Sequence, residues 1–535
     1  MLRDAIISGA NNITNLKSRV DELNVFPVPD GDTGTNMSLT INASLKNLSE
    51  LPDDCAVDKT ASVAAAALLR GARGNSGVIL SLLFRGISKG LAGKTEMGSE
   101  ELANGFSTGV KSAYKAVMKP QEGTILTVAR VASEYANEHC HEEDPVTLFE
   151  HFIEVAKKTL LETPDLLPVL KEAGVVDSGG QGLVYILEGM QSVFKGNGII
   201  EICAEPEATA ASAAEAPAAE EPAELSESYF TSFTVTKDKS SQSAPLKVVL
   251  DAIGTDVSLD EDLHTIVCSL TTMRPDKAIR EALKHGKLSK IVVENVSEHD
   301  GAGAGAAFPY AAPDENVPFG IVSVCAGKGL EKLFLDLGVN AIVSGGQTMN
   351  PSTEDILAAI QSIPAKQVLV LANDKNIIMA SDQACSMADR PAFTVPTRSV
   401  TAGISAMIAF DASAAAEDNV VAMTEAADAV ISGSVTFAAR DSEFEGKKIK
   451  EGSILALENG KPVFTDTSVS KAVIKLAKKI CSKGTSFLTV IYGSDVKAAE
   501  AEALLEILRA RLSSDIEITL VDGGQPVYYY YISAE

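Results

Sequence analysis

The segment that most restricts the fold of this chain is an Ala-, Glu- and Pro-rich stretch near its middle, residues 204–227. It contains seven Glu, three Pro and no basic residue, and Leu225 is its one large aliphatic side chain. Such a composition cannot bury enough apolar surface to offset the conformational entropy of folding. Ala and Glu favour helices, but the prolines interrupt any long helix here. We therefore predict a solvated acidic linker at residues 201–228, with folded domains on both sides.

A second change of composition, DGAGAGAAFPYAAPDENVP, occupies residues 300–318. Its alternating Gly residues are not flanked by the strand and helix that a dinucleotide-binding loop needs, so we interpret it as a flexible connector. A chain of 535 residues is also too long for one hydrophobic core. The predicted folded segments are therefore residues 1–200, 229–299 and 319–535.

Apolar residues are spaced differently in the three segments. Residues 1–200 show helical spacing, as in SVAAAALLRG and TLFEHFIEVAKKTLLE. After residue 319, short apolar strands such as QVLVLAN alternate with helical stretches such as TEDILAAIQSI, which is typical of a mainly parallel α/β sheet. The middle segment combines strand-like TSFTV and KIVVENV with the helical PDKAIREALKHG. We predict a multidomain fold with an all-α first domain, a small α+β middle domain and an α/β last domain.

The net charge limits the classes of partner. With 46 Lys plus Arg against 72 Asp plus Glu, the formal charge is −26, which repels nucleic acid and anionic membrane surfaces. No apolar run reaches the roughly 18 residues of a membrane-spanning helix, and no secretory signal is visible. We expect a cytoplasmic protein with no nucleic-acid partner and no stable membrane insertion. An anionic substrate would need local positive charge, most simply from a divalent metal ion.

The densest group of chemically useful residues is NVFPVPDGDTGTNM, residues 24–37. Its two prolines oppose a helix, and a Gly between Asp30 and Asp32 permits a tight turn that aims both carboxylates into one space. Two adjacent carboxylates repel each other unless a cation lies between them, and Mg²⁺ prefers hard oxygen ligands. An isolated Asp-Gly-Asp could be an ordinary turn, but the hydroxyl of Thr33 and the amide of Asn36 follow as phosphate ligands.

Three further Gly-containing junctions precede predicted helices. The loop GARGNSGVILS, residues 71–81, places Ser76 and Gly77 where a helix N-terminus would present N–H groups to an anion. It is not a Walker A loop, and the alternative is a helix junction capped by Ser76. KPQEGTILTVAR contains Thr124, and GVVDSGGQGL contains Asp177 in a similar position. Four such junctions in one helical domain favour a binding site.

Together, PDGDTGTNM, GARGNSGVILS, KPQEGTILTV and VDSGGQGL resemble the nucleotide-binding L subunit of dihydroxyacetone kinase. Their order, followed by SGGQTMNPSTEDIL and the ending GGQPVYYYYISAE, is still more similar to the ATP-binding subunit of bacterial fatty-acid kinase. The resemblance covers the chain outside the two linkers. It implies an eight-helix antiparallel barrel (DhaL-like) in residues 1–200 and a DegV-like α/β fold in residues 319–535.

The resemblance also implies a set of site residues. Asp30 and Asp32 would be the catalytic carboxylates and would ligate Mg²⁺, as two ions in this family, with Asn24 as a further metal ligand. ATP would lie against the remaining residues, which are Thr33, Asn36, Ser76, Gly77, Thr124 and Asp177.

The implied activity is transfer of the ATP γ-phosphoryl group to the carboxylate of a fatty acid, giving an acyl phosphate. The fatty acid would be presented by a separate DegV-type fatty-acid-binding carrier in a transient contact, and the kinase chain itself could form a homodimer. Two alternatives stay open at this point. The first domain alone would suit a dihydroxyacetone or other small-molecule kinase, and the last domain would suit a non-catalytic lipid-binding regulatory scaffold.

Overall fold

The computed structural model places most of the chain. The described residues are 1–24, 31–117, 119–203, 229–237, 246–247, 249–250, 254–261, 265–272, 274–295, 308–346, 349–439, 442–444, 447–482 and 484–535. They form two compact units, one of residues 1–205 with 308–535 and one of residues 206–307. No helix within these described ranges is both long and apolar enough to cross a lipid bilayer.

The first part of the larger unit is helical, as the apolar spacing predicts. Its helices are α1 (Leu2–Asp21), α2 (Thr33–Asn42), α3 (Leu45–Ser49), α4 (Val57–Arg70), α5 (Gly74–Gly90), α6 (Ser99–Ala116), α7 (Ile125–His139), α8 (Pro145–Leu166), α9 (Pro168–Ala173) and α10 (Ser178–Phe194). In this described part, eight helices have ten residues or more, and α3 and α9 are short. Neighbours in sequence pack together, and α10 returns to pack along α1, α2, α7 and α8.

Small residues allow the longest helices to approach closely. Helices α5 and α6 cross where Gly86 faces Gly109, and a methyl group on Gly86 would overlap the backbone of Gly109 and Thr108. Apolar side chains such as Phe149, Phe152 and Ile186 fill the space between the other helices and are almost completely buried. The bundle is therefore tightly packed and holds the N-termini of its helices in fixed positions.

The smaller unit contains a four-stranded antiparallel sheet in the order β2-β3-β1-β4. Its elements are β1 (Tyr229–Lys237), β2 (Thr255–Glu261), β3 (Thr265–Thr272), α11 (Pro275–Ala282) and β4 (Gly286–Asn295). Phe233, Val235 and Cys268 are buried in its core with Ala278 of α11. This arrangement agrees with the α+β pattern of the sequence.

The last part of the larger unit begins with a four-stranded parallel sheet in the order β6-β5-β7-β8. Its elements are β5 (Asp314–Cys325), α12 (Lys328–Asp336), β6 (Ala341–Ser344), α13 (Thr353–Ser362), β7 (Ala365–Leu371), α14 (Ile378–Met387), β8 (Ala392–Val395), α15 (Val400–Ile408) and α16 (Ala416–Ala429). Strand β5 starts inside the segment predicted as a connector, residues 300–318, because Asp314 pairs with Ala365 of β7.

A six-stranded sheet follows in the order β13-β12-β9-β16-β14-β15. The remaining elements are β9 (Ile431–Phe437), β10 (Ser442–Phe444), β11 (Lys447–Ile449), β12 (Ile454–Glu458), β13 (Lys461–Asp466), α17 (Val469–Ile480), β14 (Phe487–Tyr492), α18 (Ala498–Arg511), β15 (Glu517–Asp522) and β16 (Tyr530–Ala534).

The prediction of a mainly parallel sheet is wrong for this second sheet. Only the pair β14 and β15 is parallel among its described pairings. The physical reason is the connection length, since β12 and β13 are joined by the two residues Asn459 and Gly460, both with positive φ. A two-residue Asn-Gly turn forms a hairpin, whereas parallel strands need a long crossover.

The helical part and the last α/β part share one continuous hydrophobic core. Buried residues of α4 and α5, such as Leu68 and Val78, belong to the same cluster as Ile356 of α13 and Ala380 of α14. Helix α13 packs on α4, and α14 packs on α5. This packing brings the loop between β6 and α13 to the N-terminus of α5, where the predicted site residues lie.

Candidate functional site

Helix α2 begins at Thr33, directly after the Asp-Gly-Asp motif of the sequence, and Asp32 is its N-terminal capping residue. The start of the helix is fixed by Asp21, whose Oδ1 accepts hydrogen bonds from the N–H of Gly34 at 2.6 Å and of Thr35 at 3.2 Å. Its Oδ2 accepts the Thr35 hydroxyl at 2.8 Å. Burial raises the pKa of Asp21, and these hydrogen bonds act in the opposite direction. Asp32 is thus held at a helix N-terminus, where the helix dipole favours negative charge and Asp21 already accepts two of the first N–H groups.

The other predicted residues of this segment lie around the same helix end. Asn24 donates its Nδ2 to the Thr33 hydroxyl at 3.3 Å, and Thr33 is buried in the first turn. Asn36 is also buried, and its N–H donates to the Asp32 carbonyl at 2.8 Å. Asp30, the other predicted metal ligand, lies outside the described residues.

The Gly-rich loop brings the N-terminus of α5 against α2. Thr40 of α2 accepts the N–H of Arg73 at 3.2 Å and donates its hydroxyl to the Asn36 carbonyl at 2.6 Å. Gly77 packs on Thr40 so closely that a methyl group there would overlap the Thr40 hydroxyl. Ser76 lies within the first turn of α5, because the capping residue is Arg73. The alternative of a junction capped by Ser76 is therefore wrong, and the N-terminus of α5 packs against α2 at Asn36 and Thr40.

Thr124 and Asp177 form a second group. Each caps a helix: the Thr124 hydroxyl accepts the Leu126 N–H at 3.4 Å at the start of α7, and Asp177 accepts the Gly180 N–H at 2.7 Å at the start of α10. Asp177 also accepts the backbone N–H of Ile125, which joins the two helix ends. Burial raises its pKa to about 6. This pair is one helix away from Asp32, since α10 lies between α7 and α2.

The last α/β part contacts the residues around Asp32 and the start of α5, which we call the first group. Asn350, in the loop between β6 and α13, donates its Nδ2 to Asp32 Oδ2 at 2.6 Å. The guanidinium of Arg73 donates to the Asn350 carbonyl at 2.8 Å and lies 3.7 Å from the Asp355 carboxylate. The Thr353 N–H donates to the Ala72 carbonyl at 3.0 Å. Asn350 and Asp32, which are far apart in sequence, thus meet beside the start of α5.

The donor set suits Mg²⁺. It is rich in oxygen atoms and contains no described Cys or His ligand, and Mg²⁺ is commonly held by one or two carboxylates with water and substrate phosphates. The amide oxygens of Asn75 and Asn350 are buried and have no hydrogen-bond partner. Buried acceptors without a partner are rare, and the water shell of a cation would satisfy them. Within the described ranges no three His, Cys, Asp or Glu side chains converge, so phosphate oxygens would have to complete the shell.

A cavity of about 590 Å³ lies in the last α/β part, at the carboxyl ends of β5 to β8 and against the six-stranded sheet. Its lining combines the basic residues Lys375, Arg398 and Lys461 with two acidic ones, Asp374 and Asp428, and with apolar ones such as Leu457. Carboxyl ends of parallel strands are common ligand sites in α/β folds. The cavity is therefore a second candidate binding site.

Asp21, Thr40 and Asn350 are missed by sequence reasoning. Asp21 ends an ordinary amphipathic helix, and Thr40 is an internal residue of α2. The signal available for Asn350 is a polar loop, GGQTMN, between a strand and a helix that starts with a Ser352–Asp355 capping box. That signal indicates a loop at the end of a strand and does not reveal which carboxylate the loop contacts.

Comparison with known proteins identifies two families of domain along the chain. Residues 27–192 match the DAK2 domain, and residues 320–535 match the FakA-like C-terminal domain of fatty acid kinase. The chain is 38% identical over 543 residues to the protein YloV of Bacillus subtilis, with 99% of this chain and 98% of YloV covered. It is 37% identical over 550 residues to the protein SAB1090 of Staphylococcus aureus, covering 100% and 98% of the two chains.

Similarity to solved structures is weaker. A DegV family protein, Cg2579 of Corynebacterium glutamicum, aligns with a TM-score of 0.33 and 16% identity over 41% of this chain and 97% of its own. The dihydroxyacetone kinase of C. freundii, in complex with AMP-PNP and Mg²⁺, aligns with a TM-score of 0.29 and 17% identity over 36% and 33% of the two chains. The full-length identity to YloV and the two domain matches show that this chain belongs to the family of YloV-type proteins, in which a DAK2 domain precedes a FakA-like C-terminal domain.

Proposed function

We propose that this chain is the kinase component of a fatty-acid kinase, which uses ATP and Mg²⁺ to phosphorylate the carboxylate of a fatty acid held by a separate DegV-type carrier. The observation that carries the proposal is the group around Asp32. Asp32 lies at the N-terminus of α2 and accepts from Asn350, whose buried amide oxygen has no hydrogen-bond partner, and the N-terminus of α5 packs against the same helix. Such a group suits a metal-bound triphosphate in a chain of charge −26.

The predicted site residues would have different roles in binding the metal and the nucleotide. Asp30 and Asp32 would hold Mg²⁺, with Asn24 close to Thr33 as a further candidate ligand. The metal would supply positive charge to the β- and γ-phosphates. The N–H groups at the start of α5, near Ser76 and Gly77, would bind phosphate oxygens, with the side chain of Asn36 beside them. Thr124 and Asp177 would border the nucleotide on the side of α7 and α10.

The transfer itself needs little covalent chemistry from the protein. One carboxylate oxygen of the fatty acid forms a bond to the γ-phosphorus, and the bond between that phosphorus and the β–γ bridging oxygen breaks. The electron pair of that bond stays on ADP. An ionised carboxylate is already a nucleophile, so no general base is required.

A separate carrier is part of the proposal because it would hold the acyl chain outside the helical bundle. Among the described residues, the cavity beside Phe106 and Phe152 measures about 20 Å³, less than a fatty-acid tail needs. We propose a transient contact, since one kinase must release a phosphorylated carrier before it accepts another. The eight-helix antiparallel barrel, the five-segment organisation, the cytoplasmic location and a homodimer also belong to this proposal.

One observation favours a second function. The 590 Å³ cavity of the last α/β part has apolar lining residues, and its three basic residues outnumber its two acidic ones, which suits an anionic amphiphile. A non-catalytic lipid-binding regulatory scaffold would use this cavity and would not consume ATP. A dihydroxyacetone-type kinase, the other alternative, would consume ATP with a small polyol and without a carrier.

ATP consumption by the full chain separates these functions. We expect turnover with oleate only when a DegV-type carrier is present, and none with dihydroxyacetone. Turnover with free oleate or with dihydroxyacetone alone would contradict the carrier-dependent reaction. Absence of turnover under every condition would favour the scaffold.

Asp32→Ala should reduce phosphoryl transfer by at least about 100-fold, because it removes a proposed metal ligand. The matched control is Asp144→Ala, which removes the capping carboxylate of α8 that accepts from Val146 and Thr147. That variant should lose some stability and keep its transfer rate. Circular dichroism would verify that both variants fold. An Asp32→Ala variant with the wild-type rate would refute the assignment.

A further inference from the structure

The contact between Asn350 and Asp32 has features of a functional contact. Asn350 is only 2% exposed, and its 2.6 Å hydrogen bond joins residues that are 318 positions apart in the chain. A methyl group on Gly74 would contact the side-chain amides of both Asn36 and Asn350, so these two amides lie next to the same backbone position. Asn350 therefore lies inside the first group of site residues.

The backbone around Asn350 is held from the helical part. Arg73 donates to the Asn350 carbonyl, and its ion pair with Asp355 joins α13 to the start of α5. Arg73 and Ser352 also form an isolated β-bridge, next to the hydrogen bond from Thr353 to Ala72. Nearby, Asn75 donates to the Asn376 side chain at 3.3 Å. These contacts fix the position of the loop against the bundle.

The chemistry of an amide suits a residue that positions a metal ligand. A Lys or Arg at this place would neutralise Asp32 and compete with a cation, whereas the Asn350 Nδ2 fixes Oδ2 without adding charge. Hydrogen bonds of this kind orient ligating carboxylates in metal sites. The buried Oδ1 of Asn350 has no hydrogen-bond partner, so it is available to a water molecule of a metal shell.

We propose that Asn350 is a positioning residue for the metal site, and that the last α/β part thereby completes the site for the Mg–nucleotide on the helical part. This inference rests on the proposed kinase function and extends it. Binding of the Mg–nucleotide then requires the two parts of the larger unit to be docked. If the loop instead blocked the site, removing the Asn350 amide would strengthen binding of the Mg–nucleotide.

The test measures binding of a non-hydrolysable ATP analogue to the full chain by calorimetry, over a series of Mg²⁺ concentrations. In Asn350→Ala the Mg²⁺ concentration for half-maximal binding should rise by about tenfold or more. The matched control is Asn419→Ala in the same α/β part, where a 1% exposed amide makes its described hydrogen bonds with the backbone of Asp411. That variant should stay within about twofold of the wild type.

A second variant tests the proposal in case Asn350→Ala does not fold. Arg73→Met keeps the Asn350 side chain but removes the guanidinium that holds its carbonyl, and it should shift the Mg²⁺ dependence in the same direction. The proposal is overturned if the Mg²⁺ concentration for half-maximal binding is unchanged or lower in Asn350→Ala, or if it rises equally in Asn419→Ala. A lower concentration in Asn350→Ala would indicate that the loop blocks the site. A wild-type chain without Mg²⁺-dependent binding overturns the kinase function as well, so the two failures are distinguished.

Discussion

At the scale of single residues, acidic side chains at helix N-termini serve different purposes in this protein. Asp144 caps α8 at the surface, and its hydrogen bonds from Thr147 hold its pKa below the usual range. Asp177 caps α10 in a partly buried position, where burial raises its pKa from 3.8 to about 6. The same sequence pattern therefore produces opposite pKa shifts, and the difference comes from the packing around each carboxylate.

The raised pKa of Asp177 predicts a pH-dependent stability. The folded state binds the proton more tightly than the unfolded chain, so this group favours folding at low pH, and that contribution is lost as the pH rises from about 4 through about 6. Asp177→Asn keeps an acceptor for the Gly180 N–H and removes the charge. It should be more stable than the wild type at pH 7.5, by about 1–2 kcal/mol after solvent screening, and the difference should vanish near pH 4.

Thermal unfolding at several pH values measures this effect. Asp144→Asn is the control, because its lowered pKa predicts no gain at pH 7.5. An Asp177→Asn variant that is less stable than the wild type at pH 7.5 would indicate that the helix N-terminus favours the charged form more than burial opposes it.

At the scale of elements, the pairing of α5 with α6 depends on small residues at their crossing. Gly86 and Gly109 meet there backbone to backbone. Neither helix can move away from the other without disturbing its packing on other helices, which are α4 for α5 and α7 for α6. One turn further along, Gly105 has only ordinary van der Waals neighbours, the nearest at 3.6 Å. Two glycines of the same helix pair thus have different structural requirements.

Gly86→Ala should destabilise the fold by about 1–3 kcal/mol, since the rigid backbone of α6 cannot move away from the added methyl group. Gly105→Ala should have no such cost and should gain up to about 1 kcal/mol, because Ala is the better helix former. Chemical denaturation of both variants measures the difference. Equal effects of the two substitutions would contradict the described crossing.

At the scale of the whole molecule, the larger unit joins the first and last parts of the chain through one core and a polar contact at the candidate site. The loop after β6 is central to this arrangement: Gly346 lines the cavity of the α/β part, and Asn350 contacts Asp32. The contact between the two parts is anchored by the Arg73 guanidinium and by the Thr353 N–H.

Docking of the two parts predicts slow hydrogen exchange at the Thr353 amide, which donates to Ala72. In Arg73→Met this amide should exchange at least about tenfold faster, because the neighbouring anchor is lost. The amides of β7, such as Val370, should be unchanged, since they lie in the interior of the parallel sheet. Mass-spectrometric exchange measures both. Equal exchange at Thr353 in the variant and the wild type would show that Arg73 does not hold the contact.

The local features of the chain follow from the sequence alone. Helical spacing, the Gly-containing junctions before α2, α5, α7 and α10, and the order of the folded segments depend on neighbouring residues, whose preferences act over a few positions. The hairpin at Asn459 and Gly460 is equally local, because an Asn-Gly pair between two short strands is itself a signal for antiparallel pairing.

The completed candidate site was decided by the tertiary structure. Asp21, Asn350 and Asp32 are brought together by the packing of α1 on α2 and of α13 on α4, and no short-range pattern encodes these pairs. The pKa of Asp177 has the same origin, because burial is a property of the folded surroundings. Sequence sets which residues can begin a helix or form a turn, whereas long-range packing of the apolar core sets which of them meet.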